Sequence, residues 1–245
     1  MADLILATDD TGGPEIFASL QGEGPSVGKP VAFIRLSRCN LACTWCDTAY
    51  TWRFEGDNRP HRDGVTFERK ANQVKLPPVE AAQRITETGQ NRLVITGGEP
   101  LMQGAALAEM MDHLPDVTVE VETNGTTKAP SALDARIDQY NVSPKLAHSG
   151  NPSELALIPE RLAAYAADER AFFKFVIAEP SDVKEVLEIV RAHRVPASRV
   201  FLMAEGTTSE VQRERQTWLS ELALKHSFRM SDRMHIHLYG DTRGT

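Results

Sequence analysis

Short apolar runs alternate with amphipathic stretches along most of this chain. The runs are rich in β-branched and aromatic residues, which is typical of buried strands. Between them, apolar residues recur at the spacing of a helix face. The pattern predicts strands at Val31–Leu36, Arg92–Thr96, Val117–Glu122, Tyr140–Val142, Phe172–Ile177, Val200–Met203 and Met234–Tyr239. It predicts helices at Pro78–Thr88, Leu101–Leu114, Ser131–Ile137, Leu157–Ala166, Ser181–His193 and Ser209–Lys225.

This alternation of strands and helices predicts an α/β fold. Strands separated by helices form a parallel sheet with crossover helices. About seven strands are fewer than the eight that close a full α/β barrel. The length of 245 residues suits one domain that can bury a substantial core. We therefore predict a single domain over residues 1–245.

Three segments do not share the alternation. Residues 1–14 are predicted to be a loose lead-in before the ordered part begins at Glu15–Leu20. The glycine-rich stretch Gln21–Lys29 predicts a loop whose backbone approaches another group closely. The polar stretch Thr51–Lys75 has no helix or strand period, so we predict an excursion over the surface, inserted at about 53–75. A lid and a solvated loop without a role are both open interpretations of it.

Composition and charge exclude several classes of protein. Hydrophobic residues make up 41% of the chain, as in ordinary globular proteins. The formal charge of −7, without any run of lysine and arginine, argues against non-specific binding to nucleic acid. No apolar stretch approaches the ~20 residues that a membrane helix needs. The first residues lack the basic start of a secretion signal. We therefore expect a cytoplasmic protein with reduced thiols and no membrane partner.

All three cysteines lie in the octet that begins at Cys39 and ends at Cys46, with Cys43 between them. A tight loop can turn all three thiolates toward one metal centre. Iron–sulfur clusters usually have four thiolate ligands, so three would leave one iron of a [4Fe–4S] cluster open for catalysis. A structural zinc site needs a fourth protein ligand, and the nearest histidine is His61. A disulfide with a spare thiol suits secreted mini-proteins better. The spacing favours the cluster.

Motifs on both sides of the cysteine loop extend this interpretation. They are Glu15-Ile-Phe-Ala-Ser-Leu-Gln-Gly-Glu-Gly24, Phe33-Ile-Arg-Leu36, Asp47-Thr-Ala-Tyr50 and Thr96-Gly-Gly-Glu-Pro100. With the cysteine triplet, they resemble the radical S-adenosylmethionine (SAM) superfamily. The Gln21–Gly24 segment, the Cys-Asp-Thr step and the terminal His235–Asp241 segment resemble, more closely, the 7-carboxy-7-deazaguanine synthase family. The resemblance runs from about Glu15 to Gly244. It implies an incomplete, open TIM-like barrel of about six or seven mostly parallel strands, and the strand count agrees.

The resemblance implies a site for a [4Fe–4S] cluster and SAM. Cys39, Cys43 and Cys46 would bind the cluster, and its open iron would chelate the amino and carboxylate groups of SAM. The implied cofactor contacts are Trp45, Cys46, Asp47, Gly98, Ser143, Pro144, Lys145, Met203, Ala204, Glu205 and Gly206. Lys145 either pairs with the cofactor carboxylate or is a surface lysine. Thr48 is implied as a ligand of Mg²⁺, which takes few protein ligands.

The same resemblance implies 6-carboxy-5,6,7,8-tetrahydropterin as the substrate. The implied contacts are Leu20, Gln21, Gly22, Glu23, Arg35 and Thr96. Arg35 suits the substrate carboxylate, because a planar guanidinium can donate two parallel hydrogen bonds. The alternative is a strand-end arginine paired with a glutamate. His235 and His237 would share one face of the predicted last strand, where a metal site, a substrate contact and packing stay open. A contact from Thr245 is also open.

The implied function is that of a radical SAM carbon–nitrogen lyase in queuosine precursor biosynthesis. It would convert the carboxy-tetrahydropterin to 7-carboxy-7-deazaguanine with loss of ammonia. A radical activase that makes a glycyl radical on a partner protein is the alternative. It shares the cysteine spacing and the Gly-Gly turn, but it does not explain Gln-Gly-Glu-Gly or Cys-Asp-Thr. A zinc-stabilised binding module is a third, non-enzymatic interpretation. The implied partners are an electron donor such as flavodoxin and a second copy of the chain in a homodimer.

Overall fold

The strands and helices follow the predicted alternation from Pro78 to His226. The computed structural model of the protein describes residues 2–245. Its strands are β1 (Leu4–Ala7), β2 (Ile16–Leu20), β3 (Pro30–Leu36), β4 (Gln73–Leu76), β5 (Arg92–Gly97), β6 (Thr118–Thr123), β7 (Gln139–Val142), β8 (Ala171–Ile177), β9 (Val200–Ala204) and β10 (Arg229–Ser231). Its helices are α1 (Arg69–Asn72), α2 (Pro78–Glu87), α3 (Gly104–Met111), α4 (Ser131–Asp134), α5 (Ser153–Ala156), α6 (Pro159–Ala167), α7 (Val183–His193), α8 (Ser209–His226) and α9 (Met234–Tyr239).

All ten strands join one sheet. Its order is β10-β9-β8-β7-β6-β5-β3-β1-β4, and β2 pairs with β3 outside this path. From β3 through β5 to β10, each strand on this path runs parallel to the next. The other pairings, of β1 with β3 and β4 and of β2 with β3, are antiparallel. The path has two ends and does not close within residues 2–245. The prediction of an α/β fold with an open, mostly parallel sheet is therefore confirmed.

The apolar runs were predictable because these strands are buried on both faces. Parallel strands covered by crossover helices carry near-continuous apolar sequence. Ile95 on β5 and Phe175 on β8 are fully buried, and α2 packs its apolar face against the sheet through Ala81 and Ile85. No helix in residues 2–245 is long and apolar enough to cross a membrane. The helices cover the faces of the sheet, so the carboxyl ends of the parallel strands lie at an edge that is lined by the loops.

Two segments that were predicted to be irregular contain regular structure. Strand β1 lies in the supposed lead-in, and it pairs with β4 through Leu6 and Val74. Strand β4 and helix α1 lie in the supposed excursion, where Phe54 also bridges to Phe67. The predictions of a loose lead-in and of a stretch without helix or strand were therefore wrong. Both strands have only four residues, which is too short for a hydrophobic period to be recognised.

The segment Met234–Tyr239 was predicted as a strand and is helix α9 instead. Its alternating apolar and polar residues have the period of a strand, but only Ile236 is buried. His235 and His237 therefore do not share a strand face. His237 lies between Ser209 and Asp232, with its ring nitrogens 3.1 Å from the Ser209 hydroxyl and 3.2 Å from the Asp232 carboxylate. The two histidines do not form a common metal site.

Strand β1 is buried and therefore contributes to the core. Unfolding experiments can test this contribution. Leu6 is completely buried, so we expect Leu6→Ala to lower the free energy of unfolding by about 2–5 kcal/mol. Val79→Ala is the control, because that side chain is 51% exposed and its loss should change stability by about 0.5 kcal/mol or less. Denaturant unfolding followed by circular dichroism measures both. Equal stability of the two variants would show that β1 is loosely attached.

Candidate active site

A cavity of about 330 Å³ opens at the carboxyl edge of the parallel strands. The loops that follow β3, β5, β6, β7 and β9 supply much of its wall. Open α/β sheets bind their ligands at this edge. Every residue that the sequence nominated as a cluster, cofactor, Mg²⁺ or substrate contact lines this cavity, apart from Pro144. The structure thus brings together residues that are separated by up to about 190 positions in the chain.

The three cysteines lie on the loop after β3, and each sulfur has an N–H donor. The backbone N–H of Leu41 lies 3.4 Å from Cys39 Sγ, Asn151 Nδ2 lies 3.3 Å from Cys43 Sγ, and Trp52 Nε1 lies 3.3 Å from Cys46 Sγ. Hydrogen bonds of this kind stabilise thiolate sulfur and tune the potential of iron–sulfur clusters. The donor set therefore fits a thiolate-bound cluster.

Burial keeps these thiols protonated while they carry no metal. It raises the pKa of Cys39 to about 12 and the pKa of Cys46 to about 11, and it raises the pKa of Cys43 as well. Iron must therefore displace three protons when it binds. No three His, Cys, Asp or Glu side chains in residues 2–245 converge on a point that a single ion would occupy. In a [4Fe–4S] cluster each cysteine binds a separate iron, so its ligands need not converge.

Part of the 53–75 insertion supports the cysteine loop. The His61 ring donates from Nε2 to the carbonyl oxygen of Cys46 over 2.8 Å, and it meets the Trp52 ring edge-on. The guanidinium carbon of Arg59 lies 4.8 Å from the centre of the Trp52 ring. The insertion is therefore packed against the tryptophan that donates to Cys46. This contact was not foreseen, because a polar stretch gives no periodic signal.

Gly97 and Gly98 bring the end of β5 against the cysteine loop. A Cβ at Gly97 would lie 2.0 Å from the Leu36 carbonyl oxygen, and one at Gly98 would lie 2.1 Å from the Arg38 carbonyl oxygen. Gly97 also has a φ of +132°. Only glycine permits this approach. The two glycines are therefore required by the backbone of the cysteine loop as well as by any ligand.

The Glu99 side chain points away from the cavity. Its carboxylate accepts from the Thr123 hydroxyl over 2.9 Å and from the Asn124 backbone N–H over 2.8 Å. Burial raises the pKa of Glu99 to about 7, although these hydrogen bonds oppose the shift. Glu99 therefore connects the turn after β5 to the turn after β6. The glycine backbone is left to face a ligand.

Lys145 faces the cavity near Trp45. Its ammonium donates to the Ser143 hydroxyl over 2.8 Å and lies 5.6 Å from the centre of the Trp45 ring. Trp45 also stacks on His148, with ring centres 5.5 Å apart. Glu205 is paired with both Arg62 and Arg215. This part of the cavity therefore offers an aromatic side chain and an ammonium without a carboxylate partner in the described chain.

Arg35 is paired with a buried glutamate, yet part of its guanidinium is available. Its Nε donates to Glu15 Oε1 over 2.8 Å, and the Tyr50 hydroxyl donates to the same carboxylate. The two terminal nitrogens of Arg35 make no hydrogen bond within residues 2–245. Burial opposes the charge, but Tyr50 and Glu15 beside it hold the pKa of Arg35 above its usual value. Arg35 therefore keeps a charged fork turned to the cavity.

Glu122 is a cavity residue that the sequence did not single out as a contact. Its carboxylate accepts from the Thr96 hydroxyl over 2.8 Å and from the Gln21 amide over 3.3 Å. No cation in residues 2–245 forms an ion pair with it. Two glutamates, Glu120 and Glu122, alternate with valines in a largely buried strand, and this was the signal that could have indicated it. Lys174 and Arg233 were missed as well, although Lys174 likewise interrupts a buried strand.

Comparison with known proteins decides the family. The radical SAM superfamily profile matches residues 33–203. The chain is 37% identical to the 7-carboxy-7-deazaguanine synthase of Pyrobaculum aerophilum over 94% of this chain and 95% of that protein. This chain belongs to the 7-carboxy-7-deazaguanine synthase family. The protein of that name from Rhodopirellula baltica is 32% identical over 94% of this chain and 87% of its own length.

Solved structures support the fold of this family member. The crystal structure of QueE from Escherichia coli aligns with a TM-score of 0.65 at 24% identity, over 94% of this chain and 95% of that one. The peptide-bound structure of SuiB from Streptococcus suis aligns with a TM-score of 0.53 at 9% identity, over 82% of this chain and 47% of that one. Membership of the radical SAM superfamily implies a [4Fe–4S] cluster and SAM. The family resemblance noted in the sequence is therefore confirmed.

The Trp52 N–H gives a testable property of the cluster. We expect Trp52→Phe to keep the iron content and to make the midpoint potential of the reconstituted cluster more negative, because the sulfur loses a hydrogen bond. Potentiometric titration followed by electron paramagnetic resonance measures the shift. Trp218→Phe is the control, since Trp218 is a residue of helix α8 and packs against the hydrophobic core. A potential equal to that of the wild type would show that Nε1 does not bond to Cys46.

Proposed function

We propose that this protein converts 6-carboxy-5,6,7,8-tetrahydropterin to 7-carboxy-7-deazaguanine with loss of ammonia. Family membership supports the reaction class. The observation that carries the proposal is one cavity lined by the three cysteines, by the free fork of Arg35 and by the unpaired carboxylate of Glu122. A pterin with a carboxylate at one end and a guanidine-like edge at the other is complementary to that pair of charges. No observation favours the activase alternative.

In this proposal, residues at the ends of four strands hold the cluster and SAM. Cys39, Cys43 and Cys46 bind the cluster, and Lys145 pairs with the SAM carboxylate. The nominated segments at Gly98, at 143–145 and at 203–206 complete the SAM site. When bound, the cofactor supplies the adenosyl radical that removes hydrogen from the substrate. The chain itself binds and orients the cofactor and the substrate, and it excludes water from the cavity.

Arg35 and Glu122 bind the two ends of the pterin. The Arg35 fork donates two parallel hydrogen bonds to the substrate carboxylate. Glu122 accepts hydrogen bonds from the guanidine-like edge, where Thr96 and Gln21 already fix the carboxylate. The substrate carboxylate is attached to C6, the carbon that loses hydrogen. Fixing both ends therefore places C6, and such placement decides which hydrogen a radical removes.

Thr48 is the proposed protein ligand of Mg²⁺. It lines the cavity, and its hydroxyl lies 3.6 Å from Cys46 Sγ. Mg²⁺ retains several waters and takes one or two protein groups. A hydroxyl together with the substrate carboxylate suits that preference. The resemblance alone supports the other parts of the proposal: an electron donor such as flavodoxin, a homodimer and a cytoplasmic location.

The function is tested by anaerobic turnover with the carboxy-tetrahydropterin. We expect the reconstituted wild type to form 7-carboxy-7-deazaguanine, identified by mass. Arg35→Lys should raise KM by about tenfold or more, because losing one charge-assisted hydrogen bond costs about 1.5–3 kcal/mol. Its iron content and its SAM cleavage without substrate should equal those of the wild type. Arg136→Lys is the control, since Arg136 bonds to carbonyls outside the cavity. Absence of product with a full cluster would reject the function.

The Mg²⁺ site has a separate test. We expect Thr48→Ala to lose most of the stimulation of turnover by Mg²⁺ while its iron content stays normal. The measurement is turnover against Mg²⁺ concentration. Thr44→Ala is the control, because Thr44 is on the same loop but does not line the cavity. A Mg²⁺ dependence like that of the wild type would remove Thr48 from the site.

A further inference from the structure

Arg233 joins three separate segments of the cavity wall. It directly precedes helix α9, and it is only 7% exposed. Its Nε donates to Glu23 over 3.1 Å, its Nη1 donates to the Gly206 carbonyl oxygen over 2.6 Å, and its Nη2 donates to the Asp47 carboxylate. Each guanidinium nitrogen therefore serves a different segment. No hydrogen-bonding nitrogen of Arg233 is left without a protein partner.

The three segments belong to different parts of the proposed site. Glu23 continues the loop that holds the substrate contacts Gln21 and Gly22. Asp47 stands between the cluster ligand Cys46 and Thr48. Gly206 ends the segment after β9 that is assigned to SAM. One guanidinium thus links the substrate loop, the cluster loop and the cofactor segment.

The substrate loop depends on the Arg233 segment for its position. The Met234 backbone N–H donates to the Gly22 carbonyl oxygen over 3.0 Å, and the Gly24 N–H donates to the Ser231 hydroxyl over 2.8 Å. A Cβ at Gly22 would lie 2.5 Å from a ring nitrogen of His235. Residues 22–24 are therefore packed directly on residues 231–235. Movement of Arg233 would move both segments.

The charges explain why this position holds an arginine. Glu23 is also paired with Lys174, so its carboxylate, which is 13% exposed, has two cations, whereas Asp47 has Arg233 as its ion-pair partner in the described chain. A buried carboxylate without a cation is strongly unfavourable. Lysine would keep the charge, but its single nitrogen cannot reach three acceptors in the directions of a planar guanidinium. The arrangement requires the shape of arginine as well as its charge.

We propose that Arg233 is a positioning residue that sets the separation between the substrate loop and the cluster loop. It acts through Glu23 and Asp47, because each of its three nitrogens already donates to the protein. This inference rests on the proposed function. The consequence is that SAM cleavage is coupled to product formation. With the correct separation of the loops, the adenosyl radical lies beside the C6 hydrogen of the substrate. If the substrate loop is displaced, radicals form without giving product.

The test compares Arg233→Lys with wild type and with Arg170→Lys. Arg170 is a matched control, because it also donates to carbonyls and carboxylates, at Asp134, Ile137 and Asp168, but at the amino end of β8. We expect Arg233→Lys to keep its iron content and its SAM affinity, and to raise the ratio of 5′-deoxyadenosine to deazaguanine by about tenfold or more, since small misplacement of reacting atoms costs rates of this order. With substrate deuterated at C6, less deuterium should appear in 5′-deoxyadenosine.

A second measurement does not depend on turnover. Amide hydrogen exchange should become faster in residues 21–24 and 45–48 of Arg233→Lys, but not in those of Arg170→Lys. Arg233→Gln is measured alongside in case the lysine variant folds poorly. A wild-type product ratio in a folded variant would overturn the proposal, as would loss of iron or SAM binding, which would make Arg233 structural. If the wild type itself makes no deazaguanine, the proposed function fails instead, and exchange still reports on the link between the loops.

Discussion

The contact between the Gly97–Gly98 turn and the end of β3 is the constraint on which the site depends. Gly98 donates its N–H to the Leu36 carbonyl over 3.0 Å, and Glu99 donates to the Arg38 carbonyl over 2.9 Å. The cysteine loop therefore starts from a backbone that touches its neighbour without an intervening side chain. Glu99 then accepts from the turn after β6, where the Asn124 amide donates to Asn40 on the cysteine loop. Three adjacent strand ends are thereby fixed relative to one another before any ligand binds.

Charge pairing in the cavity indicates where ligands are needed. Burying a charge is costly unless it is paired, and most charges here have a partner. Arg35 has Glu15, and Glu205 has two arginines. Glu122 and Lys145 line the cavity without an ion pair among residues 2–245. Under the proposed function, a guanidine-like edge meets Glu122 and the carboxylate of SAM meets Lys145. The bound ligands would complete a charge balance that the chain leaves open.

The sequence was most informative where a signal was local. Apolar runs such as Phe172–Ile177 identified buried strands, and the cysteine spacing identified a loop that lines the cavity. Signals failed where structure depends on distant partners. Strand β1 is recognisable only beside β4, about 70 residues away, and the alternating pattern of α9 favours a strand when it is considered alone. Lys174 and Arg233 form ion pairs with Glu23, more than 150 residues earlier, and no pattern in one sequence predicts such pairs.

Distant contacts also set the orientation of Arg35, a residue that the sequence did predict as a substrate contact. Glu15 holds its Nε, and Tyr50 holds Glu15. The guanidinium carbon of Arg243, near the other end of the chain, lies 3.6 Å from the centre of the Tyr50 ring. Arg243 also donates to the side-chain oxygen of Asn72, which lies in the 53–75 segment. Segments from the start, middle and end of the chain thus meet behind one guanidinium. Because Nε is occupied from behind, only the two terminal nitrogens face the cavity. A carboxylate can then bind in one orientation, which fixes the direction in which its attached carbon points. The selectivity proposed for hydrogen removal therefore originates in contacts that lie behind the substrate site.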